Sequence, residues 1–116
     1  MEPLTEMRCV ACRRDATSVT AAEIAGFQPQ IADWEVIELG GIKRLRRAFS
    51  FDDFGQAMEF TNKVGELAEE EGHHPALMTE WGKTTVTWWT HKIGGLHEND
   101  FILAAKIDQV ASARRR

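Results

Sequence analysis

Four histidines, His73, His74, His91 and His97, are the side chains of this 116-residue chain best suited to chemistry at neutral pH. Unperturbed imidazole titrates at about 6.5, so a positioned histidine can deliver one proton and remove another. His73 and His74 are adjacent; they follow Gly72 and precede Pro75, and the proline holds His74 in extended backbone. Adjacent residues in an extended stretch point in different directions, so the two imidazoles are expected to have different tasks. A histidine cluster suits a reaction in which one proton is given and another taken. Dehydration is such a reaction: the leaving hydroxyl is protonated while a neighbouring N–H is deprotonated. The spacing alone is also compatible with a three-histidine metal site, or with histidines that do no chemistry.

The elements that must position these residues are legible from periodicity. Thr20 and Glu23 form a capping box, predicting a short helix to about residue 28, stopped by Pro29. A strand over 34–39, the turn Gly40-Gly41 and a strand over 42–49 read as a hairpin. Ile42, Arg44, Arg46 and Ala48 lie on one face of its second strand, Lys43, Leu45, Arg47 and Phe49 on the other. Ser50 with Asp53 three residues on reads as the start of a long helix to about residue 71. Its inner face is expected to carry Phe54, Ala57, Met58, Thr61, Val64 and Ala68, with Glu59, Glu66, Glu69 and Glu70 toward water. Gly72 suits the left-handed helix end. A second hairpin follows, 77–81 and 84–91 around Gly82-Lys83, ended by Gly94-Gly95. A last helix over 98–111 places Leu103, Ile107 and Val110 on one face.

The expected fold is therefore α+β: a four-stranded antiparallel sheet of two hairpins with three helices packed on one face. His91 ends the last strand. Counting outward from the hairpin turn sets Leu77 near positions 88–91, so the open end of the hairpin brings the His-His-Pro loop beside His91.

The composition, 43% hydrophobic and 28% charged, fits one globular domain. Residues 1–18 read as a loose arm, 19–113 as the domain and 114–116 as a basic tail. A net charge of −4 argues against nucleic-acid binding through phosphates. No apolar run approaches the roughly 20 residues of a membrane span, and the first residues lack signal-peptide character, so a cytoplasmic protein is expected. Cys9 and Cys12 form a C-x-x-C pair, half of a structural zinc set. In a polar segment they are expected to be inert reduced thiols, with weak metal binding or a redox role as the alternatives.

Glu71-Gly72-His73-His74-Pro75, Trp81, Trp88-Trp89-Thr90-His91 and Gly95-Leu96-His97-Glu98-Asn99-Asp100, together with residues 51–58, resemble the pterin-4a-carbinolamine dehydratase family over about residues 19–111. The resemblance implies a hydro-lyase that uses no metal or organic cofactor. Such an enzyme converts the 4a-hydroxytetrahydropterin left by aromatic amino acid hydroxylases into quinonoid dihydropterin and water, in support of tetrahydrobiopterin recycling. It implies catalytic roles for His73, His74 and His91, with proton transfer assigned to His73 and His91 and pterin holding to His74. It also implicates Pro75, the backbone at Trp89 and Thr90, and Asp100 in the pterin pocket. The resemblance gives Asp100 the role of orienting a histidine or a pterin nitrogen, whereas its place three residues after His97 favours a capping carboxylate.

The family also implies a homodimer or homotetramer, with a hydroxylase as functional partner. Some members pair with a transcription factor or influence hydroxylase expression, so a regulatory or dimerisation module is the alternative function. A different pterin, such as one linked to molybdenum cofactor metabolism, is a third. The chain departs from many relatives at Gly72, where an acidic residue is common, at Ala76 in place of Glu, and at His97 in place of a Ser or Thr cap. Histidine is a poor cap, so His97 is expected on the surface or rim.

Overall fold

Thr20 opens the first helix as the local sequence dictates: its hydroxyl accepts from the Glu23 N–H, and the Glu23 carboxylate accepts from the Thr20 N–H at 2.9 Å. In this computed structural model, residues 3–9 and 18–114 are described. Cys12 and the side chains of the basic run at 114–116 lie outside the described residues. The helix, α1 (Ala21–Phe27), ends at Phe27, and Pro29 then sits inside a 3-10 turn over Gln28–Ile31. β1 (Glu35–Leu39) and β2 (Ile42–Ser50) follow, joined by Gly40-Gly41 with φ of 57° and 76°. Positive φ at both central residues is what the hairpin turn requires, and only glycine adopts it without strain.

After α2 (Phe54–Glu71) come β3 (Ala76–Glu80), β4 (Lys83–Trp88) and α3 (Glu98–Arg114). The strands lie in the order β1-β2-β4-β3, every neighbour antiparallel. The expected α+β class and four-stranded antiparallel sheet are therefore what forms. Leu45 and Phe49 of β2 and Thr84, Val86 and Trp88 of β4 are buried on one face. Their apolar members share a continuous core with Ile24 and Phe27 of α1, Phe60, Val64 and Ala68 of α2, and Phe101, Leu103 and Ile107 of α3.

Several elements differ from the sequence reading. The α2 cap is Asp53, whose Oδ1 accepts from the Gln56 N–H at 2.8 Å. Ser50 instead extends β2, paired with Lys83. Phe54 and Met58 are exposed, and Phe60 takes the inner face, its ring 4.7 Å from Phe49 and 5.2 Å from Phe51. Burying a third ring in that cluster outweighs the stripe containing Phe54 and Met58. Trp81-Gly82, rather than Gly82-Lys83, forms the second hairpin loop, since Glu80 pairs with Lys83. α3 buries Phe101 to Ala105 and Ile107 on several sides, not a single stripe. Within the expected arm, residues 3–9 are docked: Leu4 is fully buried and its N–H donates to Gln30 Oε1 at 2.8 Å.

β4 stops at Trp88, three residues short of the expected end. Thr90 forms a bridge with Gly95 instead, its N–H donating to the Gly95 carbonyl at 2.8 Å, and His91–Ile93 coil into a 3-10 turn. Leu77 faces Val86, not residues 88–91. Three residues outward from the pair Ala76 and Thr87, His73 comes toward Thr90.

Candidate active site

The site is assembled where α2 ends, β4 ends and α3 begins. Gly72 closes α2 with φ of 68°, and its turn releases His73, whose N–H still donates to the Ala68 carbonyl at 3.1 Å. His73 turns toward the core. Its ring stacks on Trp88, centroids 5.5 Å apart and planes 7° off parallel. Its Nε2 lies 2.6 Å from Asp100 Oδ1. The His73 side chain is 11% exposed and Asp100 is fully buried.

Asp100 combines both readings offered by the sequence. Its Oδ2 accepts from the Thr90 hydroxyl at 2.8 Å and from the His97 N–H at 2.9 Å. The Asn99 N–H donates to His97 Nδ1 at 3.0 Å. His97 therefore caps α3 with its ring nitrogen, and Asp100 completes a reciprocal capping box. His97 is half-buried, and what the structure corrects is the view of histidine as a poor cap: its imidazole nitrogen accepts as a hydroxyl would. The second carboxylate oxygen remains for His73.

The other two histidines have different neighbours. His74 is exposed, with Nε2 2.6 Å from Glu69 Oε1. His91 is exposed, its ring 4.5 Å from that of Trp89. Thus His73, Thr90 and Asp100 are brought together directly, His74 is held by α2, and His91 and Trp89 form a separate ring pair. Pro75 immediately precedes β3. Among the described residues, no hydrogen bond or ring contact joins the three imidazoles to one another. Nor do three His, Cys, Asp or Glu side chains there converge as metal ligands.

Glu69 is exposed, as the sequence reading had it, but its contact with His74 was not foreseen, nor was the Trp88 ring under His73. The alternation Thr84, Val86, Trp88 on the buried face of β4 was the available signal for Trp88.

Glu71 anchors the loop from behind. Its carboxylate, 3% exposed, accepts from Arg8 Nε at 3.1 Å, the Cys9 N–H at 3.1 Å and Lys106 Nζ at 3.4 Å. Burial pushes the Glu71 carboxyl upward, but the Cys9 N–H, the Lys106 ammonium and the Arg8 guanidinium together hold it below its ordinary value. Burial, followed by the charge of Glu71, pushes the Cys9 thiol up to about 12, so it stays protonated at neutral pH.

Glu71→Gln is expected to lower unfolding stability by about 2 kcal/mol at pH 7, because the largely buried Lys106 ammonium loses its counter-charge. A group whose folded pKa is depressed contributes stability above its unfolded value, about 4.3 for Glu, and loses it as pH falls through the folded value. The gap between wild type and variant should therefore narrow below about pH 4. Urea titrations at pH 7 and pH 3.5 check this; a pH-independent gap would show that the Glu71 charge is not the cause.

Comparison with known proteins agrees with the sequence resemblance. The profile of the family described as pterin 4 alpha carbinolamine dehydratase matches residues 17–110. A Nitrosococcus oceani protein with the provisional name pterin-4-alpha-carbinolamine dehydratase is 57% identical over 110 residues, covering 95% of this chain and 97% of its own. A Gloeobacter violaceus protein, provisionally named pterin-4-alpha-carbinolamine dehydratase 1, is 59% identical over 109 residues, covering 94% of each. Among solved structures, a transcriptional coactivator/pterin dehydratase from Brucella melitensis superposes with a TM-score of 0.73 at 27% identity, covering 82% of this chain and 99% of that one. A pterin dehydratase-like protein identified as a RuBisCO assembly factor in the alpha-carboxysome gives 0.56 at 26% identity, covering 66% and 89%.

Proposed function

The chain belongs to the pterin 4 alpha carbinolamine dehydratase family, and on that premise we propose that it removes water from a 4a-hydroxytetrahydropterin. The product is the quinonoid dihydropterin, and the role is tetrahydrobiopterin recycling beside an aromatic amino acid hydroxylase. The observation that carries this reading is the His73–Asp100 pair, 2.6 Å apart, which joins the Gly-His-His-Pro loop to the first turn of α3.

With Asp100 accepting at Oδ1, His73 keeps its proton on Nε2 and presents the Nδ1 lone pair to a substrate proton. The carboxylate then stabilises the imidazolium that forms, as in other oriented acid–base pairs. In the proposed reaction His73 and His91 exchange the two protons. One is delivered to the 4a-hydroxyl as the C–O bond breaks and water leaves. The other is taken from the neighbouring ring N–H, whose electron pair closes the C=N bond. Atoms and electrons balance, so the step needs no redox cofactor. His74, Pro75 and the backbone of Trp89 and Thr90 hold the pterin.

The same reading includes a cytoplasmic homodimer or homotetramer. No helix among the described residues is long and apolar enough to cross a membrane. Met78 and Trp81, 62% and 74% exposed, support association with another protein surface.

The test generates 4a-hydroxytetrahydropterin in situ with a phenylalanine hydroxylase and follows its decay. Wild type should accelerate decay, and His91→Ala should lose about 10²-fold or more. Decay at the uncatalysed rate with both proteins would reject the dehydratase reading.

The Brucella melitensis protein is called both a transcriptional coactivator and a pterin dehydratase, which favours a regulatory or dimerisation module as the second reading. Under it, a His73→Ala/His91→Ala double variant keeps partner binding while dehydration is lost.

A further inference from the structure

Arg44 has no part in the reaction as proposed, yet it sits beside one of its histidines. On the sheet face away from the helices, its guanidinium carbon lies 4.1 Å from the centroid of the Trp89 ring. Trp89 in turn holds its ring 4.5 Å from that of His91, at 42°. The register accounts for the first contact: Leu45 pairs with Trp88, so Arg44, one residue back on β2, comes level with Trp89, one residue on. The side chain is tethered by a 3.4 Å hydrogen bond from Nη2 to the Leu39 carbonyl.

Two details show that stacking, more than ion pairing, fixes this arginine. Among the described residues no carboxylate pairs with it, whereas Arg8, Arg46 and Arg47 each reach one. Its Nε is buried with no hydrogen-bond partner there, so another contact must hold that end of the side chain in place. A guanidinium 4.1 Å from the centroid of an indole is such a hold, through cation–π attraction.

His91 needs a neighbour of this kind. It is exposed and stands in a short 3-10 turn. Among the described residues its ring has the Trp89 contact and no hydrogen bond to orient it. An exposed imidazole without such contacts spreads over several rotamers, and a proton-transfer group must be held in one.

We infer that Arg44 is a positioning residue for His91: it clamps the Trp89 ring, and Trp89 sets the orientation of the His91 imidazole. The inference rests on the dehydratase reading, in which His91 exchanges a proton with the pterin.

Two measurements on the full-length protein test it. The His91 ring signals, assigned by their loss in His91→Ala, should move toward those of free histidine in Arg44→Ala as the Trp89 ring loses its fixed position. In the dehydratase assay, Arg44→Ala should lower kcat about fivefold with little change in KM, and the loss should vanish in a His91→Ala background, because the residue acts through His91. Arg44→Lys keeps the charge without the plane and should fall between the two in both measurements; it also serves if Arg44→Ala does not fold. Unchanged His91 signals in Arg44→Ala would overturn the inference, as would an equal fold loss with and without His91, or an Arg44→Lys protein indistinguishable from wild type. Absence of wild-type turnover would instead count against the dehydratase reading, while the His91 signals report on the stack by themselves.

Discussion

Asp100→Asn should lower the dehydration rate by about 10²- to 10⁴-fold while the fold stays in place. The amide oxygen can still accept from the Thr90 hydroxyl and the His97 N–H, as Oδ2 does now. The amide nitrogen must then face His73 Nε2, which sits 2.6 Å from Oδ1. Two donors cannot share that contact, so His73 moves its proton to Nδ1 and loses the lone pair it offers to substrate. KM should change little, because the pterin-holding groups are untouched. Asp100→Ala goes further. It strands the Thr90 hydroxyl and the His97 N–H around a fully buried position, and should also lose about 3 kcal/mol of stability. Steady-state kinetics and urea unfolding of both variants separate the roles. Full turnover by Asp100→Asn would leave Asp100 as a helix cap alone.

Trp88→Ala carries the largest expected stability loss, about 3–5 kcal/mol. The indole is fully buried on β4 opposite Leu45 and forms the platform under His73. Against a total of about 5–15 kcal/mol for an ordinary domain, that loss should bring unfolding close to working temperature. Trp88→Phe should be milder, because the buried Trp88 Nε1 has no hydrogen-bond partner among the described residues to lose. Thermal unfolding of the two variants checks the order. If Trp88→Ala unfolds less than about 1 kcal/mol below wild type, the ring is not the packing support described here.

Arg44 and Glu69 were the site neighbours hardest to read from the sequence. The sequence put Arg44 on the face opposite Leu45 and Phe49, and burial of those two makes it the outer face, but nothing local connects residue 44 to Trp89. Glu69 looked like any solvated helix carboxylate until the Gly72 turn carried His74 back to it. The His97 cap was missed for another reason: the expectation used the average capping preference of histidine, whereas here the ring nitrogen reaches the Asn99 N–H.

Features under local control were legible in the chain before any packing was known. The Thr20–Glu23 box, the Gly40-Gly41 turn and the Gly72 helix end each depend on contacts or backbone angles spanning a few residues, and each forms as read. The antiparallel α+β class followed from hairpin spacing, and the sheet forms in that class. The partner of His73 was settled by long-range packing, whereas His74, His91 and His97 meet neighbours within five residues of chain. Asp100 meets His73 across 27 residues of chain, and Trp89 meets Arg44 only through the register of β2 on β4. A slip of one residue in that register would turn every side chain to the opposite face. No turn links β2 to β4 directly, so packing of the shared core under the sheet selects that register.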